Sequence, residues 1–146
     1  MKNSSPNLKI LLVDDDVEFC TFLSDLIFDR IGIRPKTAHN GEHAKTIITS
    51  EIPDILITDT NMPKLNGIEL IKYARAHFPH IEIFSLFEGL AGSNMTIHDV
   101  KAMGVNLVLS KVDVSHLLLP ALEAINTGQK LYHALSAVFG RDPRTF

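Results

Sequence analysis

The sequence predicts a doubly wound α/β fold, and three observations carry that prediction. Apolar runs and amphipathic stretches alternate five times, strand then helix, between Leu8 and Thr127. The runs are rich in Leu, Ile and Val without regular polar alternation, the pattern of strands covered on both faces. The first and third runs stop abruptly at acids, and the carboxyl end of a buried strand is where open α/β sheets place their ligand chemistry. Such alternation implies a five-stranded parallel sheet between two helical layers, with right-handed crossovers.

The elements follow in order. Residues 1–7 read as a flexible leader. Leu8–Val13 is a strand ending in Asp14-Asp15-Asp16. Phe19, Phe22, Leu23, Leu26 and Ile27 then recur at helical spacing, with Asp15 and Asp16 at the positive end of the helix dipole and Gly32 as the stop. Ile33–Ala38 is a weaker strand, and Pro35 places it at a sheet edge or strand start. Asn40-Gly41 is a turn. Glu42–Ser50 is a short helix with Ala44, Ile47 and Ile48 inward. Pro53 closes it, and Ile55–Thr58 is the third strand, followed by Asp59. Met62, Pro63 and Gly67 belong to the turn that leads into a helix carrying Ile68, Ile71, Ala74 and Phe78. Ile81–Leu86 is the fourth strand, 88–93 a loop and Met95–Met103 a helix stopped by Gly104. Leu107–Leu109 is the fifth strand, with Lys111 just beyond it. Leu117–Thr127 is the last helix, and Pro120 delays or bends its start. Residues 128–146 read as a helical extension or linker in which Leu131, Leu135 and Val138 could continue a helix. That tail is too short for a helix-turn-helix output domain.

Composition bounds the function. At 146 residues the chain is one domain with a sizeable core, 45% hydrophobic and 21% charged. The net charge of −3 argues against non-specific nucleic-acid binding. A single cysteine, Cys20, excludes an internal disulfide framework and fits a reducing compartment. No stretch approaches the roughly 20 apolar residues of a membrane span, and none resembles a signal peptide. The expectation is a soluble cytoplasmic protein.

Three strand ends carry charge: Asp14 and Asp15 after the first, Asp59 after the third, Lys111 after the fifth. In a sheet of order 2-1-3-4-5, the first and third strands are neighbours at the switch point, so the three carboxylates converge. Clustered acids cannot all stay ionised without a cation. Hard oxygen donors suit Mg2+. A carboxylate beside that metal and an ammonium can attack a phosphoryl group and become an aspartyl phosphate.

These residues resemble the receiver domain of two-component response regulators over roughly residues 8–127. The match rests on Val13-Asp14-Asp15, on Asp59 with Met62-Pro63 and Gly67, and on Lys111. It also rests on intervals of 44 residues from Asp15 to Asp59 and 52 from Asp59 to Lys111, both similar to family spacing. The resemblance implies a flavodoxin-like fold with Asp59 as phosphoacceptor. Asp15, Asp59 and the main-chain carbonyl of Asn61 would be Mg2+ ligands, Asp14 would act through a metal-bound water, and Lys111 would pair with the phosphoryl group. It implies a sensor histidine kinase or histidine phosphotransfer protein as donor, and a downstream protein or an appended DNA-binding domain outside this chain as output. It admits a homodimer, and it implies no enzyme beyond the chain's own phosphorylation and dephosphorylation. The chain looks closest to receivers that precede helix-turn-helix domains.

Two switch positions depart from the family pattern. Phe87 aligns where receivers usually carry Ser or Thr. Val108 aligns where many carry Tyr or Phe. Ser85 shares Phe87's face but lies about 7 Å back along the strand, and is a poor substitute. Val112 follows the lysine where Pro is common. These departures motivate an alternative, a receiver-like interaction domain that works without phosphate. A third reading, a small phosphohydrolase, lacks a second catalytic acid or a cap domain. With Asn61 and Gly89 offering little shielding near the metal, the aspartyl phosphate is expected to be short-lived.

Other features have ordinary readings. Taken alone, Asp14-Asp15-Asp16 is a helix cap and Lys111 a surface lysine. Phe19 and Phe22 read as core, Cys20 as an inert helix residue. His39 and His43 straddle a turn, His77 and His80 flank Pro79, and all four read as solvated. Lys130, Arg141 and Arg144 are too scattered for a nucleic-acid surface.

Overall fold

The computed structural model describes residues 8–60, 66–88 and 95–130, together with 133 and 136. The chain order is β1 (Ile10–Val13), α1 (Val17–Ile31), β2 (Lys36–Ala38), α2 (Gly41–Ser50), β3 (Ile55–Asp59), α3 (Gly67–His77), β4 (Glu82–Leu86), α4 (Ile97–Ala102), β5 (Leu107–Leu109) and α5 (Leu119–Asn126). All strands pair in parallel, in the order β2-β1-β3-β4-β5. This is the doubly wound, flavodoxin-like sheet that the sequence predicts.

Alternation along each strand sends successive side chains to opposite faces, and a helical layer covers each face. Ile10, Leu12, Ile55, Ile57, Phe84 and Leu86 pack with α1 and α5. Leu11, Val13, Leu56 and Ile83 pack with α2, α3 and α4. The chain runs outward from β1 to β2, then reverses toward β3, β4 and β5, so crossovers of one hand must put α1 on the face opposite α2, α3 and α4.

Local signals set the ends. Asp16, Asn40, Asn66 and Thr96 cap α1, α2, α3 and α4 with side-chain oxygens that accept backbone N–H groups. Gly32 ends α1 at φ 74°, a left-handed position that glycine takes without strain.

Four expectations change. Of the predicted α1 stripe, Leu23 and Ile27 are buried and Phe19 and Leu26 are partly buried against the same core, but Phe22 is 53% exposed. Cys20 and Ser24, outside that stripe, are buried in its place. They also fall at helical spacing with Leu23 and Ile27, so the period alone does not separate them from Phe22. The β1 and β2 strands begin at Ile10 and Lys36, later than the apolar runs suggested, because only those residues find a ladder partner. The α4 helix spans only Ile97–Ala102, with a capping box between Thr96 and Asp99 fixing its start. The last helix begins not as one α-helix but as a short turn over Lys111–Asp113, then a wide π-type turn over Val114–Leu118, before α5. Leu119 N–H donates to Val114 O, five residues back. The Pro120 ring would crowd the carbonyl four residues before it in a tight helix, and the wider turn relieves that contact. The readings on residues 1–7, Asn61, Met62, Pro63, Gly89, Leu131, Leu135 and Val138 lie outside the described residues. Among the described residues, no helix is long and apolar enough to cross a membrane.

Candidate functional site

The carboxyl edge of the sheet gathers the acids. Asp14 extends β1 by donating its N–H to Ala38 O, and its side chain is fully buried. Its Oδ1 accepts the Asp16 N–H at 2.9 Å. Asp15 is exposed, and Asp59 ends β3 almost buried. Of the three consecutive acids only Asp16 serves as the helix cap, accepting the Phe19 N–H at 3.1 Å. Asp14 and Asp15 are left to face Asp59. One carboxylate oxygen from each of Asp14, Asp15 and Asp59 lies within 4.8 Å of the others.

Lys111 reaches into this cluster from the end of β5. Its Nζ stands 2.8 Å from Asp14 Oδ2 and 3.4 Å from Asp59 Oδ2. It also lies 4.6 Å from the centre of the Phe19 ring, whose face attracts the cation. Burial opposes ionisation of Asp14, and this outweighs the help from Lys111 and the Asp16 N–H, so its carboxyl is raised above the usual range. Burial works against the Lys111 ammonium too, but the contacts with Asp14 and Asp59 outweigh it and raise its pKa. Three carboxylates against one ammonium leave an excess of negative charge with hard oxygen donors. Asp14 Oδ2 makes no well-directed hydrogen bond. That donor set fits a hard divalent cation such as Mg2+, and Asp14, Asp15 and Asp59 are the residues that could hold it.

The structure brings four of the five nominated residues together: Asp14, Asp15, Asp59 and Lys111. The fifth, Asn61, lies outside the described residues. The switch positions sit one layer away. Phe87 and Val108 are half-buried against the core beneath α2, α3 and α4. Phe87 N–H donates to Leu109 O at 2.8 Å, so its backbone extends the β4–β5 pairing. Ser85 faces the same side deeper in the sheet, pairs in register with Thr58, and is fully buried with an unpartnered hydroxyl.

Three neighbours escaped the sequence reading. Phe19, partly buried against the core as expected, also lies against Lys111. His39, expected to be solvated, donates from Nδ1 to the main-chain carbonyl of Asp14 at 3.1 Å. Glu88 accepts both the Ser110 hydroxyl and the Lys111 N–H through Oε1, each at 2.7 Å. These contacts link residues 22 to 92 positions apart, and no local pattern announces them. Gly67, a turn residue by its sequence setting, is the first residue of α3. Its role is close approach: a Cβ there would meet the Asp59 carbonyl oxygen and the Thr60 Cα.

A parallel five-stranded sheet with clustered acids and a lysine at the switch point defines a class of phosphate-handling regulatory domains. The chain belongs to the response regulator receiver domain family, whose model matches residues 10–122. It is 43% identical over 67 residues to the transcriptional regulatory protein CpxR of Klebsiella pneumoniae, covering 46% of this chain and 28% of that protein. It is 29% identical to a probable chemotaxis protein CheY of Rhizobium etli, over 81% of this chain and 92% of that one. The fold matches the isolated receiver domain of RcsB from Salmonella enterica serovar Typhimurium, in the presence of the phosphomimetic BeF3-, with TM-score 0.70 and 22% identity. That match covers 91% of this chain and 99% of that one. The chain spans less than a third of the length of the first curated relatives it matches. Phosphoryl acceptance and Mg2+ dependence are general properties of receiver domains.

Proposed function

We propose that this domain accepts a phosphoryl group on Asp59 and changes its protein-interaction surface as a result. The observation that carries the reading is the convergence of Asp14, Asp15, Asp59 and Lys111 at one edge of the sheet. An Asp59 carboxylate oxygen attacks phosphorus. The new O–P bond forms as the donor's N–P or O–P bond breaks, and the leaving imidazole or carboxylate keeps the electron pair. Asp59 offers a single acceptor at a fixed strand end, and the buried surroundings keep its approach defined. The Lys111 ammonium then shifts its pairing from the carboxylate toward the phosphoryl oxygens, where negative charge accumulates. Asp14 and Asp15 would hold Mg2+ together with Asp59. Bound there, Mg2+ would supply neutralisation of the negative charge that builds up during transfer.

The donor is a histidine kinase or a histidine phosphotransfer protein, and a small acyl phosphate serves in its place in vitro. The output is a protein partner or a linked domain that reads the surface around α4 and β5. The test is intact mass measured after incubation with acetyl phosphate, with and without Mg2+. Uptake of one phosphoryl group by the wild-type chain, lost in Asp59→Asn and without metal, supports the reading. Equal uptake by Asp59→Asn overturns it.

A further inference from the structure

Lys111 is held at both ends. Its ammonium touches Asp14 and Asp59, and its backbone N–H donates to Glu88 Oε1. The same oxygen accepts the Ser110 hydroxyl. Ser110 itself starts the turn that carries Lys111, with a Val112 N–H contact at 3.4 Å and an Asp113 N–H bond to Ser110 O at 3.0 Å. Beyond that turn the corner is open to solvent, and Val112 is 80% exposed. The two 2.7 Å bonds to Glu88 are therefore its short, charge-assisted anchors. They draw the Glu88 carboxyl below the usual carboxylate range, first through the Lys111 N–H and then through the Ser110 hydroxyl. A lysine has a long, freely rotating stem, so where its backbone is pinned decides where its ammonium can rest.

We propose that Glu88 is a positioning residue for Lys111, tying the segment after β4 to the corner after β5 so that the ammonium is aimed at Asp59. This rests on Asp59 being the acceptor. It supplies a link between the β4 and β5 ends in a chain where Phe87 brings no hydroxyl. Through it, a change in Lys111's pairing is felt at Glu88. Glu88 touches neither the acceptor nor the carboxylate cluster in any described contact, so its effect passes through Lys111.

The experiment is a double-mutant cycle on the whole chain, reading the rate of phosphate uptake from acetyl phosphate with Mg2+. Glu88→Ala slows uptake about tenfold, short of the roughly hundredfold that a 1 Å misplacement can cost, because the ammonium keeps its contacts with Asp14 and Asp59. Glu88→Gln keeps most of the rate, because an amide oxygen still accepts both bonds. In a Lys111→Ala background, Glu88→Ala adds no further loss. The Lys111 amide proton resonance moves upfield in Glu88→Ala and holds in Glu88→Gln, which reports the bond independently of uptake. Wild-type rates in Glu88→Ala, or an equal slowing with and without Lys111, overturn the positioning role alone. Absence of uptake by the wild-type chain overturns the acceptor reading and this role with it.

Discussion

The first residue of α3, Gly67, rests on the end of β3: a Cβ there would collide with the carbonyl oxygen of Asp59 and with Thr60 Cα. The constraint is space, since Gly67 is not among the positive-φ glycines. Both colliding atoms are backbone, and they belong to the proposed acceptor and its neighbour. Gly67→Ala must therefore push α3 off the strand or shift Asp59. The expected cost is about 1–3 kcal/mol, as for overpacked interiors, with slower phosphate uptake. Urea unfolding and acetyl phosphate kinetics on the same variant check both effects.

Clustered carboxylates predict stabilisation by metal. Asp14, Asp15 and Asp59 repel one another, and a bound divalent cation favours the folded chain by mass action. Mg2+ at a hundred times its dissociation constant adds about 2.7 kcal/mol. The unfolding midpoint should rise with Mg2+ in the wild type and respond far less in Asp15→Asn or Asp59→Asn. Thermal unfolding across a Mg2+ titration measures it. A midpoint that ignores Mg2+ would contradict the site.

Ser85 shows where a hydroxyl is present but misplaced. Its buried oxygen has no partner, while the position two residues on is Phe87. Removing an unsatisfied buried hydroxyl relieves its desolvation penalty. Ser85→Ala should be neutral or stabilising by up to about 1 kcal/mol, and should leave phosphate uptake unchanged. Chemical unfolding and the uptake assay decide. A large loss of uptake would make Ser85 a phosphate contact.

Glu82 makes a pH-dependent prediction at the opposite end of the sheet. Burial raises its carboxyl above the ordinary value, with Arg75 opposing, and its Oε2 lacks a hydrogen bond. The folded state then holds a proton more tightly than the unfolded chain. The group costs stability above its raised folded pKa, and that cost fades as pH falls toward the unfolded value of 4.5. Glu82→Gln should be more stable than wild type near pH 8, with the gap narrowing toward pH 4.5 in paired unfolding curves. A gap that is constant with pH would contradict the assignment.

The sheet was legible because buried parallel strands write continuous apolar runs, and the acids stood out where those runs stopped. Strand order and the Asp14–Asp15–Asp59–Lys111 cluster followed from the alternation and the resemblance together. What could not be read was set by packing between distant segments. Phe19 packs at the margin of the core, and its contact with Lys111, 92 positions away, appears only once β1 and β5 are placed in one sheet. Glu88 became visible only when β4 and β5 were placed side by side. The widened turn before α5 depends on how Pro120 fits the helix it enters, which no period reveals.

The central claim is that Asp59 is the residue that carries phosphate. Reductive trapping of the acyl phosphate with borohydride, followed by peptide mass spectrometry, reads the modified position directly. The account predicts conversion at Asp59 after incubation with acetyl phosphate and Mg2+, and none in Asp59→Asn. Modification at another residue with Asp59 untouched would contradict it.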